Sequence, residues 1–190
     1  MKVFDFDNTI YDGESMVDFF YFICEKKPQL QKYKSIVDKF IFLYHHNLVP
    51  MTLVKTMINK YKNEVNFNTD NYKKYVDEFW KTHKTKIRKE MLAKISKDDV
   101  IMTASVNVLI DPIKKKLKTK NIYTSVVNVE KKEIEFICYK ENKAEKFKEI
   151  YKDKVIDELY TDSYADKPLM NLSKKVFLID IKTKEIKQIK

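Results

Sequence analysis

The stretch KVFDFDNT, residues 2–9, is a short apolar run that ends in two carboxylates. Asp5 and Asp7 are two residues apart, so on a strand their side chains point to the same side. Two acids at the C-terminal end of a strand attract a hard divalent cation, and Mg²⁺ prefers oxygen ligands of this kind. Open α/β sheets bind ligands at these strand ends. The alternative is an exposed pair of aspartates at a junction between a strand and a turn.

The pattern of apolar residues changes twice along the chain. From about residue 15 to residue 95 apolar residues recur at helical spacing, with Pro28 and Pro50 near the joints. After residue 97 short apolar runs alternate with amphipathic stretches, which is typical of alternating strands and helices. The order predicts an α/β core that is interrupted near residue 14 by an all-helical insertion.

Composition excludes several classes of protein. The chain has 190 residues, of which 44% are hydrophobic and 35% charged, as expected for one globular domain or one domain with an inserted lobe. Gly13 is the single glycine, which excludes glycine-rich nucleotide loops. The net charge is +10, but the lysines are dispersed and Arg88 is the single arginine. We therefore favour a general lysine bias over an anionic partner, and nucleic acid is disfavoured.

The cysteines and the N-terminus bear on location. Cys24 and Cys138 have neither metal-ligand spacing nor the count of a disulfide framework, which fits a reduced cytoplasmic protein. The opening MKVFDFDN is broken by acids too early for a signal peptide. The sequence contains no run of 18 uncharged apolar residues, so no membrane span is predicted.

Further polar candidates follow later apolar runs. In VIMTAS, residues 100–105, Thr103 precedes a predicted helix, where a hydroxyl binds phosphate oxygens or simply caps the helix; Ser105 competes for either role. In TDSYAD, residues 161–166, Asp162 and Asp166 could supply a metal ligand and a supporting carboxylate, or form a solvated acidic turn.

A lysine near a predicted helix start completes the set. Lys143, in CYKENKAEKF, can neutralise a nucleophile and hold a phosphoryl oxygen. Lys140 and Lys146 are nearby alternatives in this lysine-rich chain.

Read in order, these motifs give the sequence a family resemblance. DFDNT, then Thr103, then Lys143, then Asp162 with Asp166 resembles the haloacid dehalogenase superfamily of phosphohydrolases, closest to its phosphoserine-phosphatase-like branch. The resemblance implies a Rossmann-like parallel-sheet core formed by residues 1–13 and 97–190. It also implies a helical cap formed by residues 14–96.

The resemblance also implies a mechanism. Asp5 would attack phosphorus to form an aspartyl-phosphate, and Asp7 would act as general acid and then as general base. Mg²⁺ would be held by the Asp5 side chain, the Asp7 backbone carbonyl and Asp162, with Asp166 supporting the metal site. Thr103 and Lys143 would hold the phosphoryl oxygens.

The chain departs from the family pattern in three places. Asn8 stands where glycine is frequent, the fourth motif is TDSYAD rather than a glycine-rich form, and Tyr139 and Lys140 replace a glycine before Lys143. None of these changes removes a catalytic group.

The substrate is expected to be a small-molecule phosphate ester, chosen by the helical insertion. Glu14 lies nine residues after Asp5, where phosphoserine phosphatases carry an acid that faces the substrate amine; a carboxylate that favours a helix N-terminus is the alternative role. The insertion is rich in aromatic residues, which favours a small core of its own over an apolar rim for a lipid phosphate. These residues are Phe19, Phe20, Tyr21, Phe22, Tyr33, Phe40, Phe42, Tyr44, Phe79 and Trp80.

Two alternatives to a soluble phosphomonoesterase stay open at this point. One is a phosphatidylglycerophosphate-type phosphatase that works at an anionic membrane surface. The other is a basic, non-catalytic binding protein on the same scaffold, against which the intact acidic cluster argues. His45, His46 and His83 have no acid at ligand spacing and are interpreted as surface or core histidines rather than metal ligands.

Overall fold

A mixed β-sheet forms the centre of the molecule. The computed structural model describes residues 1–45, 48–49 and 69–190. Within this part of the chain seven strands pair in the order β4-β3-β2-β1-β5-β6-β7. They are β1 Lys2–Phe4, β2 Val100–Val106, β3 Asn121–Asn128, β4 Glu133–Phe136, β5 Ile156–Thr161, β6 Ser173–Ile179 and β7 Ile186–Gln188. Strands β3, β2, β1, β5 and β6 are neighbours in this order and are mutually parallel. The edge strand β4 pairs antiparallel with β3, and the edge strand β7 pairs antiparallel with β6.

Helices precede and follow the strands of this sheet. Four described α-helices lie between β1 and β2, and three follow β2. The first group is α1 Ser15–Lys26, α2 Lys34–His45, α3 Thr69–His83 and α4 Lys89–Lys94, and the second is α5 Asn107–Ile110, α6 Glu141–Tyr151 and α7 Lys167–Asn171. In the described ranges, none of the helices is long and apolar enough to cross a membrane.

The two faces of the sheet are buried by different helices. Val3 and Phe4 are adjacent in β1 and both fully buried, because successive strand residues point to opposite faces. The Phe4 side packs in one apolar cluster with residues of α3, α4 and α5. The Val3 side packs with Phe147 of α6 and Leu169 of α7. A parallel sheet covered on both faces explains why its strands are short apolar runs rather than alternating ones.

Helix α3 packs directly against the part of the molecule that follows β2. Phe79 and Trp80 are buried in the same apolar cluster as Phe4, and the Trp80 indole donates a hydrogen bond of 2.7 Å to the Leu109 carbonyl. A smaller cluster of Ile23, Cys24 and Leu30 joins α1 to the 3₁₀ turn Pro28–Tyr33. Phe19 and Phe22 pack against both clusters, whereas Phe42 is 60% exposed, so the aromatic residues of the insertion do not form one isolated core.

The prediction of an α/β fold with a Rossmann-like parallel sheet is confirmed. Between Ser15 and Lys94 the described elements are α-helices and 3₁₀ turns, as the spacing predicts. The division into a core of residues 1–13 and 97–190 and a cap of residues 14–96 stays a prediction. His46, Pro50 and part of the predicted insertion lie outside the described residues.

Lys140, immediately before α6, has a backbone conformation suited to glycine. Its φ of 49° and ψ of −124° lie outside the left-handed helical region that other residues tolerate. This is the segment in which the sequence lacks an expected glycine. The Lys140 ammonium donates a hydrogen bond of 3.2 Å to the Val49 carbonyl, so the side chain also contacts the helical insertion.

If the backbone of Lys140 is strained, glycine at this position should be more stable than alanine. Lys140→Gly and Lys140→Ala both remove the lysine contacts, but only glycine removes the Cβ. We expect Lys140→Gly to be more stable than Lys140→Ala by about 1 kcal/mol in urea unfolding. Strain of this kind costs the folded state about 1–3 kcal/mol, and the greater conformational entropy of glycine in the unfolded chain offsets part of the gain from removing it.

The matched control is the same pair of changes at Lys148, an exposed residue inside α6. There the order should reverse, with glycine less stable than alanine by about 1 kcal/mol. An alanine variant at Lys140 as stable as the glycine variant would contradict the assignment of strain.

Candidate active site

Neighbouring parallel strands bring the predicted site residues to one edge of the sheet. Phe4 pairs with Ile101 of β2 and with Tyr160 of β5, so Asp5 follows β1 at the level where β5 ends. The Asp5 N–H extends this pairing by donating a hydrogen bond of 2.9 Å to the Tyr160 carbonyl. The carboxyl ends of parallel strands share an edge, which is why residues from distant parts of the sequence meet there.

Lys143 joins two of the predicted carboxylates. Its ammonium donates hydrogen bonds to Asp5 Oδ1 at 2.9 Å and to Asp166 Oδ1 and Oδ2 at 2.8 and 3.0 Å. The Thr161 hydroxyl donates a further bond of 2.8 Å to Asp166 Oδ2. All four residues are buried, and buried charges are tolerated when they are paired and hydrogen-bonded in this way. Lys143, rather than Lys140 or Lys146, is therefore the lysine of the site.

The loop after β1 folds tightly over the strand end. The Phe6 carbonyl accepts hydrogen bonds from the N–H groups of Thr9, Ile10 and Tyr11. Asn8 has a φ of 53°, a left-handed conformation that asparagine tolerates better than most residues, which explains how it replaces glycine here. The single glycine, Gly13, has a φ of 133°, and a Cβ there would lie 3.0 Å from Asp18 Oδ2.

Asp7 is held through both oxygens of its carboxylate. The Ser15 N–H donates to Oδ1 and the Ser105 hydroxyl donates to Oδ2, each at 2.7 Å. The two serine hydroxyls are themselves 2.6 Å apart. Thr103 lies next to this group, because the Ser105 N–H donates to Thr103 Oγ1 at 3.0 Å.

An irregularity in β2 accounts for the positions of Thr103 and Ser105. Met102 pairs with Tyr123 and Val106 pairs with Ser125, so β2 carries two more residues than β3 between these pairs. Such bulges bend a strand and redirect its side chains. The carbonyl of Ala104 inside the bulge accepts a hydrogen bond of 2.7 Å from the Ser125 hydroxyl.

Glu14 reaches the site through Asn8. The Asn8 amide donates hydrogen bonds to Glu14 Oε1 at 2.7 Å and to Asp162 Oδ2 at 3.2 Å. The same side chain thus links the start of the helical insertion to the loop after β5. Glu14 lies beside the predicted metal ligand Asp162, where the sequence places a substrate-binding acid.

Burial controls the ionisation of this cluster. Burial raises the pKa of Asp5 to about 7, even though the Lys143 charge acts to lower it. Burial also raises the pKa of Asp7, while the hydrogen bonds from Ser15 and Ser105 lower it. The pKa values of Glu14 and Asp162 are raised by burial and then by the charges of neighbouring carboxylates.

Lys143 responds in the opposite sense to its surroundings. Burial acts to lower the pKa of its ammonium, but the charges of Asp166 and Asp5 outweigh burial and raise the pKa. The ammonium therefore stays charged, whereas burial favours the protonated forms of Asp5, Asp7 and Asp162. A further cation at this edge of the sheet would favour the ionised carboxylates.

The donor set fits Mg²⁺. Within the described ranges, no three His, Cys, Asp or Glu side chains form a ready-made metal cluster. Mg²⁺ does not need one, because it is usually bound by one or two carboxylates together with waters and phosphate oxygens. Asp5 and Asp162 are oxygen ligands of this kind, and the charge of Asp5 raises the pKa of Asp162. Asp166 is engaged by Lys143 and Thr161, which suits a supporting role rather than direct ligation.

Of the two roles left open for Thr103, the helix N-cap is ruled out, and three contacts were not predicted. Thr103 does not cap a helix, because it lies inside β2 and Val106 occupies the N-cap of α5. Ser15, Asn8 and Thr161 contact the acidic residues but were not predicted. The contact of Thr161 could have been predicted from its position directly before Asp162, at the end of an apolar run. His83 packs on the Phe79 ring with centroids 4.1 Å apart.

A comparison with protein-family models decides the family. The model for haloacid dehalogenase-like hydrolases matches residues 3–171. The chain belongs to the haloacid dehalogenase-like hydrolase family. The match covers all four motifs quoted above and confirms the expectation of a hydrolase of this superfamily. Comparison with curated protein sequences found no significant match.

Solved structures share the fold of this haloacid dehalogenase-like hydrolase at low sequence identity. A protein of unknown function from Bordetella pertussis aligns with a TM-score of 0.72 and 12% identity, covering 95% of this chain and 89% of that one. A phosphoserine phosphohydrolase-like protein from Francisella tularensis has a TM-score of 0.63 and 19% identity, covering 93% and 86%. A substrate-bound phosphoserine phosphatase has a TM-score of 0.60 and 12% identity, covering 92% and 82%.

Removal of the Lys143 ammonium should strongly destabilise the hydrolase. Lys143→Met leaves Asp5 and Asp166 buried together with no cation between them. We expect the free energy of unfolding to fall by about 3 kcal/mol or more, as is usual when one partner of a buried ion pair is lost. Urea unfolding measured without added metal tests this.

Lys146→Met is the matched control, because Lys146 lies one turn further along α6 and pairs with Glu149 near the surface. That change should stay within about 0.5 kcal/mol of wild type. Equal costs for the two variants would show that the buried cluster does not depend on Lys143.

Proposed function

We propose that this hydrolase is a Mg²⁺-dependent phosphatase that cleaves a phosphate monoester through an aspartyl-phosphate on Asp5. The observation that carries the proposal is the buried Lys143 ammonium bonded to both Asp5 and Asp166 at the carboxyl edge of the sheet. Phosphoryl transfer depends mainly on positioning and on neutralising charge on the phosphoryl oxygens. A buried cation beside a carboxylate nucleophile supplies both.

The side chains divide the two half-reactions between them. In the first, Asp5 attacks phosphorus, the bond from phosphorus to the leaving oxygen breaks, and Asp7 gives its proton to that oxygen. In the second, Asp7 takes a proton from water while the water oxygen attacks phosphorus. The bond from Asp5 to phosphorus then breaks and inorganic phosphate leaves. Lys143 and the Thr103 hydroxyl hold phosphoryl oxygens throughout.

Asp5, the Asp7 backbone carbonyl and Asp162 are the proposed magnesium ligands, with Asp166 in support. When bound, Mg²⁺ would neutralise charge on the phosphoryl group and on the carboxylates. Asp166 orients Lys143, and Asn8 holds Asp162 at 3.2 Å.

The substrate is proposed to be a small phosphate ester of the phosphoserine type. Glu14 supports this choice, because Asn8 holds its carboxylate beside Asp162, where it can face an amine on the leaving group. A panel of phosphoserine, sugar phosphates, nucleotides and lipid phosphates tests the choice. Preference for phosphatidylglycerophosphate in vesicles over phosphoserine would favour the lipid alternative instead.

Loss of the nucleophile should abolish turnover. We expect Asp5→Asn to lower Mg²⁺-dependent phosphate release from 4-nitrophenyl phosphate by about a thousandfold or more, because an amide is a poor nucleophile. The control is Asp98→Asn, an exposed acid that precedes β2 at the opposite edge of the sheet. Equal rates for wild type and Asp5→Asn would rule out the proposed mechanism.

Metal binding can be tested without measuring activity. A ligand that binds only the folded state at about 100 times its Kd stabilises a protein by about 2.7 kcal/mol, which for a chain of this size raises Tm by about 5 °C or more. We expect Mg²⁺ to raise the Tm of wild type and of Asp98→Asn but not that of Asp162→Asn. A full magnesium shift in Asp162→Asn would remove Asp162 from the proposed ligands.

A further inference from the structure

The carboxylate of Asp7 is held from two different parts of the fold. Ser105, which donates to Oδ2, lies in β2 of the sheet. Ser15, whose N–H donates to Oδ1, is the first residue of α1. Hydrogen bonds to both oxygens leave the carboxyl group little freedom to rotate about its bond to Cβ. The orientation of Asp7 is therefore set jointly by the sheet and by the first helix of the insertion.

The two serine side chains also form one chain of hydrogen bonds. Their hydroxyl oxygens are 2.6 Å apart, and the two residues are 0% and 1% exposed. Because the Ser105 hydroxyl uses its proton on Asp7, the Ser15 hydroxyl donates to Ser105 Oγ. The Ser15 side chain thereby orients the hydroxyl that orients Asp7.

Other buried serines in this chain use their hydroxyls differently. Ser125 donates to the Ala104 carbonyl and Ser173 donates to the Leu169 carbonyl, both of which are backbone groups. Most side-chain hydrogen bonds in proteins likewise go to backbone or water. Ser105 instead directs its single proton to an ionisable carboxylate at the site.

We propose that Ser105, supported by Ser15, is a positioning residue that aims the proton of Asp7 at the leaving oxygen. This inference rests on the proposed function, since it assigns a device to the acid step of that reaction. Ser105 acts through Asp7 and is not assigned a contact with the substrate. Its loss should therefore matter most where the leaving group most needs a proton.

The experiment is a leaving-group series measured as kcat/KM, which reports the steps up to departure of the leaving group. The substrates are 4-nitrophenyl phosphate, phenyl phosphate and a simple alkyl phosphate. Misdirected acid catalysis loses part of a contribution of about 100- to 10,000-fold. We expect Ser105→Ala to lower kcat/KM about tenfold or more for the alkyl ester but about twofold or less for the 4-nitrophenyl ester.

Two further serine variants complete the design. Ser173→Ala removes a buried hydroxyl at the opposite edge of the sheet, where Ser173 pairs with Ile156. This variant should change kcat/KM by the same factor for all three substrates. Ser15→Ala keeps the N–H bond to Asp7 and removes only the support of Ser105. Like Ser105→Ala, it should lower kcat/KM more for the alkyl ester than for the 4-nitrophenyl ester, but by a smaller factor.

The outcomes separate this inference from the proposed function. Wild-type protein that hydrolyses none of the esters would refute the function itself. Active wild type with a Ser105→Ala loss that is equal for all three esters would overturn the positioning role alone. If thermal melting shows that Ser105→Ala does not fold, the Ser15→Ala series decides, and a uniform factor there would overturn the role in the same way.

Discussion

The site depends on a buried balance of charge at the carboxyl edge of the sheet. The Lys143 ammonium lies between Asp5 and Asp166, while Asp7, Asp162 and Glu14 add carboxylates around them. Unpaired charges in a protein interior cost several kcal/mol each, so this group can persist only if each member is paired, hydrogen-bonded or protonated. Lys143 compensates two carboxylates, and the rest rely on hydrogen bonds and on raised pKa values. The remaining negative charge is consistent with the divalent cation proposed for this edge.

Much of this arrangement could be predicted because parallel strands obey simple geometry. Asp5 and Asp7 are two apart after an apolar run, and Thr103 and Asp162 follow later apolar runs in the same manner. In a sheet of parallel strands all such ends lie along one edge. The central parallel strands could therefore be inferred from local patterns, and the residues at their ends could be inferred to meet.

The parts that could not be predicted depend on register and on backbone conformation. Ser105 reaches Asp7 because β2 has two additional residues opposite β3, and strand register is a tertiary property that no local pattern specifies. Asn8, which contacts Glu14 and Asp162, has a left-handed backbone conformation that the sequence pattern did not predict. Ser15 contacts Asp7 through its backbone N–H, a group that every residue except proline carries, so the type of residue at this position could not predict that contact.

The connection of the helical insertion to the sheet bears on the proposed acid step in particular. Two crossing segments, residues 10–12 and 86–88, connect the insertion to the sheet. The backbone N–H of Arg88 donates to the Ile10 carbonyl and that of Asp12 donates to the Lys86 carbonyl, each at 2.8 Å, so the two segments are hydrogen-bonded to each other. The Tyr11 hydroxyl and the Lys86 ammonium both donate to Asp18 in the first turn of α1, at 2.6 and 2.7 Å.

These contacts fix the start of α1, and hence Ser15, relative to the sheet. The residues proposed to hold the phosphoryl group stand on strands and on α6, whereas the proposed acid is held partly by α1. Substitutions at the crossing segments should therefore disturb Asp7 more than Asp5 or Lys143. Among the contacts of the described residues, Asp7 alone of these three receives a hydrogen bond from α1. The proposed binding of the phosphoryl group and the proposed protonation of the leaving group thus rest on different structural supports.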